Sequence, residues 1–258
     1  MNRDQKFNLI RSLDENVRYD GREKEEYRKV TIVPNASATA EGSVIVNIGE
    51  TSVIAGVKLE VGTPYSDSPD EGVLMVGVEL APISSEEYEP GPPQFNAIEL
   101  ARVTDRAIRE SRCMDVHKLC IKKGEKVWMV NVDISVLNDD GNLFDACSLA
   151  AMAAIKSTKL PTVDKEGTVD YHKMTKNGLP LEKVPISVTV YKIGNHILID
   201  PTRLEENAAD ARLTFGTINT ETLCSMQKGG EGTLKKDDVI AMAELAVTRA
   251  DVLRKLIK

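Results

Sequence analysis

Apolar and polar positions alternate along this chain in two distinct periods, and the periods predict its elements. Phe7, Ile10, Leu13 and Val17 recur at helical spacing, so an amphipathic helix opens the chain and ends at the turn Tyr19-Asp20-Gly21-Arg22. Strand-like runs follow over 30–33, 43–48 and 51–58, the last two joined by Gly49-Glu50, a pair suited to a tight hairpin. A further strand covers 72–80, and EEYEPGPP (86–93) reads as a rigid loop. Residues 94–112 form a long helix with apolar side chains on two sides, which implies burial on both. Strands at 118–123 and 127–137 turn at Lys123-Gly124, and NDDGN (138–142) is a turn before a helix over 143–158. That helix carries Ala146, Ser148, Ala150, Ala151, Ala153 and Ala154, side chains small enough for close packing against a sheet or another helix.

The polar stretch 160–183 reads as a long connection. Beyond it, 184–193 and 196–200 form a hairpin around Gly194-Asn195, two strands cover 211–218 and 222–228, and a closing helix spans 235–258. Its apolar face is Val239, Ala243, Ala246, Ala250, Leu253 and Ile257, with Asp237 and Asp238 in the first turn and Arg254, Lys255 and Lys258 in the last, as the helix dipole favours. Strands clustered in hairpins with helices between them predict an α+β fold rather than a doubly wound parallel sheet. The order also reads as one theme played twice: a first half over 1–160, a linker over 161–183 and a second half over 184–258.

Composition narrows the function. The chain has 258 residues, with 33 Lys plus Arg against 40 Asp plus Glu and a net charge of -7, so any contact with nucleic acid requires a local basic patch. Aromatic residues are 4% and Trp128 is the sole tryptophan, which argues against extensive base-stacking platforms. Four cysteines in a chain of this length do not make a disulfide framework. The start MNRDQKFNLI lacks the apolar run of a signal peptide, and no stretch approaches the roughly 20 apolar residues of a membrane helix, so a soluble cytoplasmic protein with no membrane contact is expected.

Several motifs weigh little. CMDVHKLC (113–120) offers Cys113, His117 and Cys120 but no fourth zinc ligand, and buried thiols explain it better. NDDGN lacks the rest of a calcium loop. QKGGEGT (227–233) precedes a helix without matching either glycine-rich phosphate fingerprint. No G-x-S-x-G elbow is present, and His117, His172 and His196 are scattered. No metal or cofactor is therefore expected.

Two features carry more. On the helix over 94–112, Arg102, Arg106 and Arg109 lie at i, i+4 and i+7, within about 60° of one another at ~100° per residue. Such a stripe offers phosphates fixed charge and forked donors, unless Glu99, Asp105 and Glu110 neutralise it as a solvated face. The second feature is LIDPTRLEENAADARLTFG (198–216), where Asp200, Glu205, Glu206 and Asp210 are followed by Arg212.

Taken in order, RYDGREKEEYRKV (18–30), AEGSVIVNIGETSVIAGVK (40–58), FNAIELARVTDRAIR (95–109), VWMVNVDISVLNDDGNLFDACSLAAMAAI (127–155), the acidic stretch and MQKGGEG (226–232) resemble the RNase PH family over nearly the whole chain. The resemblance implies two βαβ-type halves like ribosomal protein S5 domain 2-like domains. It also implies six-domain rings in which phosphate attacks the 3′ end of RNA and releases nucleoside diphosphates. EPGPP and LFDA look like the branch of the family without activity of its own, found in archaeal exosomes. That branch implies a catalytic RNase PH-like paralogue as partner in three heterodimers, RNA-binding cap proteins and single-stranded RNA, with Arg106, flanked by Arg102 and Arg109, on the RNA phosphates.

The departures from the catalytic pattern fall at two places. Where active members follow a glycine with hydroxyl and arginine residues that bind phosphate, this chain has Gly141 and Asn142, then Leu143, Phe144 and Asp145. Where they carry a second-half Asp, Arg212 stands, or Asp210 if the register shifts by two. A carboxylate-to-guanidinium change reverses an interaction of about 4 kcal/mol at ~4 Å and an effective dielectric near 20, so Arg212 would repel a magnesium ion. No catalytic residue is therefore assigned. The alternatives are an active phosphorolytic exoribonuclease of the same fold and a small-molecule kinase on an S5-like scaffold.

Overall fold

Thirteen consecutive residues of one helix, Leu143 to Ile155, are all buried, and the rest of the fold is arranged around them. The computed structural model describes residues 3–164 and 168–257. The buried helix is α3 (Leu143–Ser157). Its alanines let it lie against β2 (Gly42–Ile48) and β3 (Thr51–Gly62) on one side and β9 (Ile186–Ile193) on the other.

The first sheet runs β1-β2-β3-β6-β4, with β1 Val30–Pro34, β4 Val73–Leu80 and β6 Lys126–Asn138; β5 (Cys120–Lys122) pairs with β6. All its pairings are antiparallel except β4 with β6. Alternation in β2 and β3 places Val44, Val46, Ile48, Val53, Ala55 and Val57 in the core, as a half-buried sheet requires. The second sheet is antiparallel and runs β10-β9-β11-β12, with β10 His196–Ile199, β11 Ala211–Thr217 and β12 Leu223–Gly229. α2 (Phe95–Glu110) packs on β4, α3, β11 and β12, and α5 (Lys236–Arg254) on β9 and β11. One apolar cluster includes Val46, Leu149, Val188, Phe215 and Ala246, so both halves share a core. The α+β architecture is as the hairpin pattern predicts.

Three readings change. In α1 (Arg3–Asp14) the buried residues are Leu9 and Leu13, while Phe7 is 67% exposed and Val17 50% exposed. The i, i+4 leucine pair reaches Tyr191, Ile193, Leu198 and Ala208, a small second cluster, and that contact chooses the buried face. In α2 the core takes Ala97, Leu100, Val103, Ala107 and Ile108, but Phe95 and Ile98 face solvent instead of a second layer. The polar connection also contains β7 (Lys159–Val163) and β8 (Val169–Gly178), an antiparallel pair whose register shifts twice, which hides its periodicity from sequence. Ala246, Ala250 and Leu253 of α5, and Ile257 just beyond its end, are buried as read, joined by Met242.

Candidate functional site

The acidic stretch is built around a strained residue. β10 ends at Ile199, and Asp200 adopts φ 44, a left-handed conformation that Asp tolerates better than most residues. Its carboxylate is fully buried and accepts from the Arg28 amide at 2.7 Å, Arg28 Nε at 2.9 Å, Arg22 Nη1 at 3.0 Å and Asn142 Nδ2 at 2.9 Å. Three residues further on, α4 (Arg203–Ala208) starts with a capping arrangement in which the Thr202 amide donates to Glu205 Oε2 at 2.8 Å. Glu205 also receives Arg18 on both oxygens, at 2.9 and 2.6 Å, with both side chains almost fully buried. Burial raises the pKa of Glu206, whose Oε1 accepts the Tyr191 hydroxyl at 2.7 Å.

These carboxylates therefore hold a strap. The segment containing Arg18, Arg22 and Arg28 crosses the second half of the chain and is fastened by the acidic stretch. Among the described residues, His, Cys, Asp and Glu side chains form no group of three or more placed to hold a metal ion.

Asp210 and Arg212 separate clearly. The Asp210 carboxylate turns to α1 and the β9–β10 turn: Lys6 Nζ lies 2.6 Å away and the Gly194 amide donates at 2.7 Å. Burial works to raise this carboxyl, but Lys6 and the Gly194 amide outweigh it and hold the pKa below the ordinary value. Arg212 turns to α2 and α3. Its Nη2 donates to Glu99 Oε2 at 2.8 Å, and its guanidinium carbon lies 4.1 Å from the centre of the Phe144 ring. Gly229 is opposite Arg212 on β12, where a Cβ would collide with the Arg212 guanidinium. At Gly230 and Gly232 a Cβ would crowd the Asp210 carbonyl, at 2.7 Å in both cases. The glycines of QKGGEGT make room for β11 and need no phosphate to explain them.

The start of α3 is closed to solvent. Gly141 has φ 89, and a Cβ there would lie 2.6 Å from the Pro201 carbonyl. Leu143 and Phe144 are 6% and 8% exposed. Asp145, named from sequence as one of the departures from the phosphate-binding pattern, points into the protein. It accepts from the Tyr27 hydroxyl at 2.6 Å, the Thr189 amide at 2.7 Å and Asn142 Nδ2 at 3.2 Å. Burial pushes its carboxyl up to about 7, against the lowering effect of those hydrogen bonds.

The arginine stripe divides. Asp105 pairs with Arg109 at 2.7 Å, and Arg109 Nη2 also donates to the Leu74 carbonyl at 2.9 Å. The Asp105 hydrogen bonds raise the Arg109 pKa despite partial burial. Glu99, read as neutralising the stripe, is taken by Arg212. Arg102 and Arg106 are exposed, form no ion pair among the described residues, and line a hollow with Phe95, Ile98 and Gln227. Arg109 lines a different hollow, with Arg112 and His117. Cys113 is buried, its thiol raised by that burial and directed at the Ile108 carbonyl, as a structural thiol would be.

Sequence reading assigned the strap arginines, quoted within RYDGREKEEYRKV, no structural role, and missed the Glu99–Arg212 pair. The R-x-x-x-R spacing of Arg18 and Arg22, with Arg28 beyond, was their available signal. For Glu99 the sequence offers none, because its partner lies 113 residues away.

Two α+β halves sharing a core, an arginine-bearing helix and a small-residue helix under a second four-stranded sheet define an RNase PH-type fold. The chain belongs to the RNase PH family: the 3′ exoribonuclease family, domain 1, matches residues 26–161, and domain 2 matches residues 183–249. It is 45% identical over 250 residues to the exosome complex component Rrp42 of Archaeoglobus fulgidus, covering 97% of this chain and 94% of that protein. The Thermococcus gammatolerans protein of the same name is 46% identical over 251 residues, covering 96% and 92%. Among solved structures, a chain of the Archaeoglobus fulgidus exosome with RNA bound to the active site matches with TM-score 0.91 and 44% identity over 98% of both chains. A chain of an archaeal exosome core matches with TM-score 0.85 and 41% identity, covering 97% and 95%.

Proposed function

We propose that this chain is the non-catalytic RNase PH-fold subunit of an archaeal-type exosome, a ring that degrades RNA from its 3′ end by phosphorolysis. Its halves, 1–160 and 184–258 joined through 161–183, pair with a catalytic RNase PH-like paralogue, three pairs to a ring, beneath RNA-binding cap proteins. Relatives of this length and identity that carry the exosome component name, and solved exosome chains of the same shape, support the assembly. The observation that carries the non-catalytic reading is Arg212. A guanidinium paired with Glu99 and stacked on Phe144 occupies the cleft between α2 and α3. A phosphorolytic site in that cleft needs a group able to hold a metal ion or protonate a leaving oxygen, and arginine does neither. Leu143 and Phe144 at the start of α3 offer an incoming phosphate no donor side chain.

The chain's own part is to hold RNA. Arg102 and Arg106 are exposed cations with no ion pair among the described residues, since Glu99 and Asp105 are taken by Arg212 and Arg109, and they steady the RNA phosphates near the partner's active site. Purified alone, the chain should release no nucleoside diphosphate from single-stranded RNA and inorganic phosphate; robust release would overturn the reading. In the assembled complex, Arg106→Ala should weaken RNA binding and lower the slope of log affinity against log salt by about 0.7, one single-strand phosphate contact. An unchanged affinity and slope would remove Arg106 from the RNA path.

A further inference from the structure

The exposed face of α2 is apolar at one end and cationic at the other. Phe95 is 76% exposed and Ile98 49% exposed, and they share one hollow of about 350 Å³ with Arg102, Arg106, Gln227 and Glu99, whose carboxylate is taken by Arg212. At ~100° per residue Phe95, Ile98, Arg102 and Arg106 fall within about 80° of one another. Arg102 and Arg106 are separated by about 6 Å along the axis, and Phe95 lies about 10 Å before Arg102.

A single exposed phenylalanine is ordinary on a protein surface. This one stands at the head of two cations that form no ion pair among the described residues, because nearby Glu99 is held by Arg212 and Asp105 by Arg109, on a chain whose net charge is -7. A purely apolar partner would bury Phe95 and strip water from two unpaired guanidinium groups, a costly exchange. A single-stranded nucleic acid satisfies both ends, because each nucleotide brings an anionic phosphate and an aromatic face.

We propose that Phe95 is a base-stacking residue: with RNA phosphates on Arg102 and Arg106, a base further along the strand lies flat on the Phe95 ring, and Ile98 shields its edge. This rests on the RNA-binding reading above and adds to it the element that grips a base. Stacking of this kind accepts any base, since all four present a π-face. The contact fixes where the strand lies without selecting its sequence.

The test uses the complex assembled with its catalytic partner and a fluorescent single-stranded RNA. Phe95→Ala should weaken binding about five- to tenfold, the lower part of the range for losing one base–aromatic stack, and leave the salt slope unchanged. Phe95→Trp should keep the affinity, and RNA should quench its fluorescence against the constant background of Trp128, which is 5% exposed. Arg106→Ala runs in parallel. If it weakens binding while Phe95→Ala does not, stacking is overturned and the RNA reading stands. If neither variant weakens binding, the RNA reading fails and stacking with it. If Phe95→Ala lowers the mass of the complex, Phe95 is a subunit contact and the proposal is overturned.

Discussion

Replacing Arg18 with Met removes the most deeply buried cation of the fold and keeps most of its length. Arg18 is 1% exposed and makes two hydrogen bonds to Glu205, at 2.9 and 2.6 Å. It also donates to the carbonyls of Ile199 at 3.2 Å, Asp200 at 2.8 Å and Glu23 at 3.3 Å. The substitution leaves Glu205, 2% exposed, with Thr202 as its one remaining hydrogen-bond donor among the described residues. Breaking one side of a buried pair costs about 3–5 kcal/mol, because the remaining charge is uncompensated. For a chain of this size each kcal/mol moves the thermal midpoint by roughly 2–4 °C, so a fall of about 6–20 °C is expected. Urea unfolding followed by circular dichroism measures it directly. The double variant Arg18→Met with Glu205→Leu should recover part of the loss, since no charge is then stranded. Recovery stays incomplete because the carbonyls of Ile199 and Glu23 still lose the Arg18 donor, while that of Asp200 keeps Arg22 Nη2 at 3.0 Å. A single variant within about 1 kcal/mol of the native chain, or a double variant worse than the sum of the two singles, would refute the strap as described.

Asp145 gives a pH signature. Its folded pKa, raised to about 7, lies above the ordinary 3.8, so between those values the folded chain holds a proton the unfolded chain has released. Its contribution to stability therefore falls as pH rises from about 4 to 7 and is level above that. Relative to Asp145→Asn, the native chain should lose urea resistance between pH 5 and 7.5; parallel curves would exclude the assignment. Gly229→Ala should displace the Arg212 guanidinium and cost about 1–2 kcal/mol through the lost ion pair and ring contact. In an Arg212→Ala background the same change should be nearly silent, and equal costs in both backgrounds would show that the crowding lies elsewhere.

Much of this architecture is legible from periodicity. Strict alternation in β2 and β3, the alanine run of α3 and the 4-3-4-3-4 step of α5 each report a face buried against a sheet. What is not legible depends on partners far away in sequence. Leu9 and Leu13 rather than Phe7 and Val17 turn inward because Tyr191 and Leu198 are there to receive them. Glu99 has arginines close by on its own helix and pairs instead with Arg212, 113 residues away. The acidic stretch is the clearest case. Its carboxylates have the composition of a metal site, and only the fold reveals that Arg18, Arg22 and Arg28 take Asp200 and Glu205, Tyr191 takes Glu206 and Lys6 takes Asp210.

The division of the arginine stripe has a dynamic consequence. With Arg109 and Arg212 neutralised by their own carboxylates, Arg102 and Arg106 are the part of the stripe left to attract a polyanion, on a chain whose net charge is -7. On the RNA-binding function proposed above, a pair of cations on a net-negative chain orients an approaching strand, so the field acts as a torque as well as a pull. Salt screens such guidance over about 10 Å at 0.1 M. Rising ionic strength should thus scramble the geometry of encounter first, slowing productive arrival before bound strands begin to leave faster.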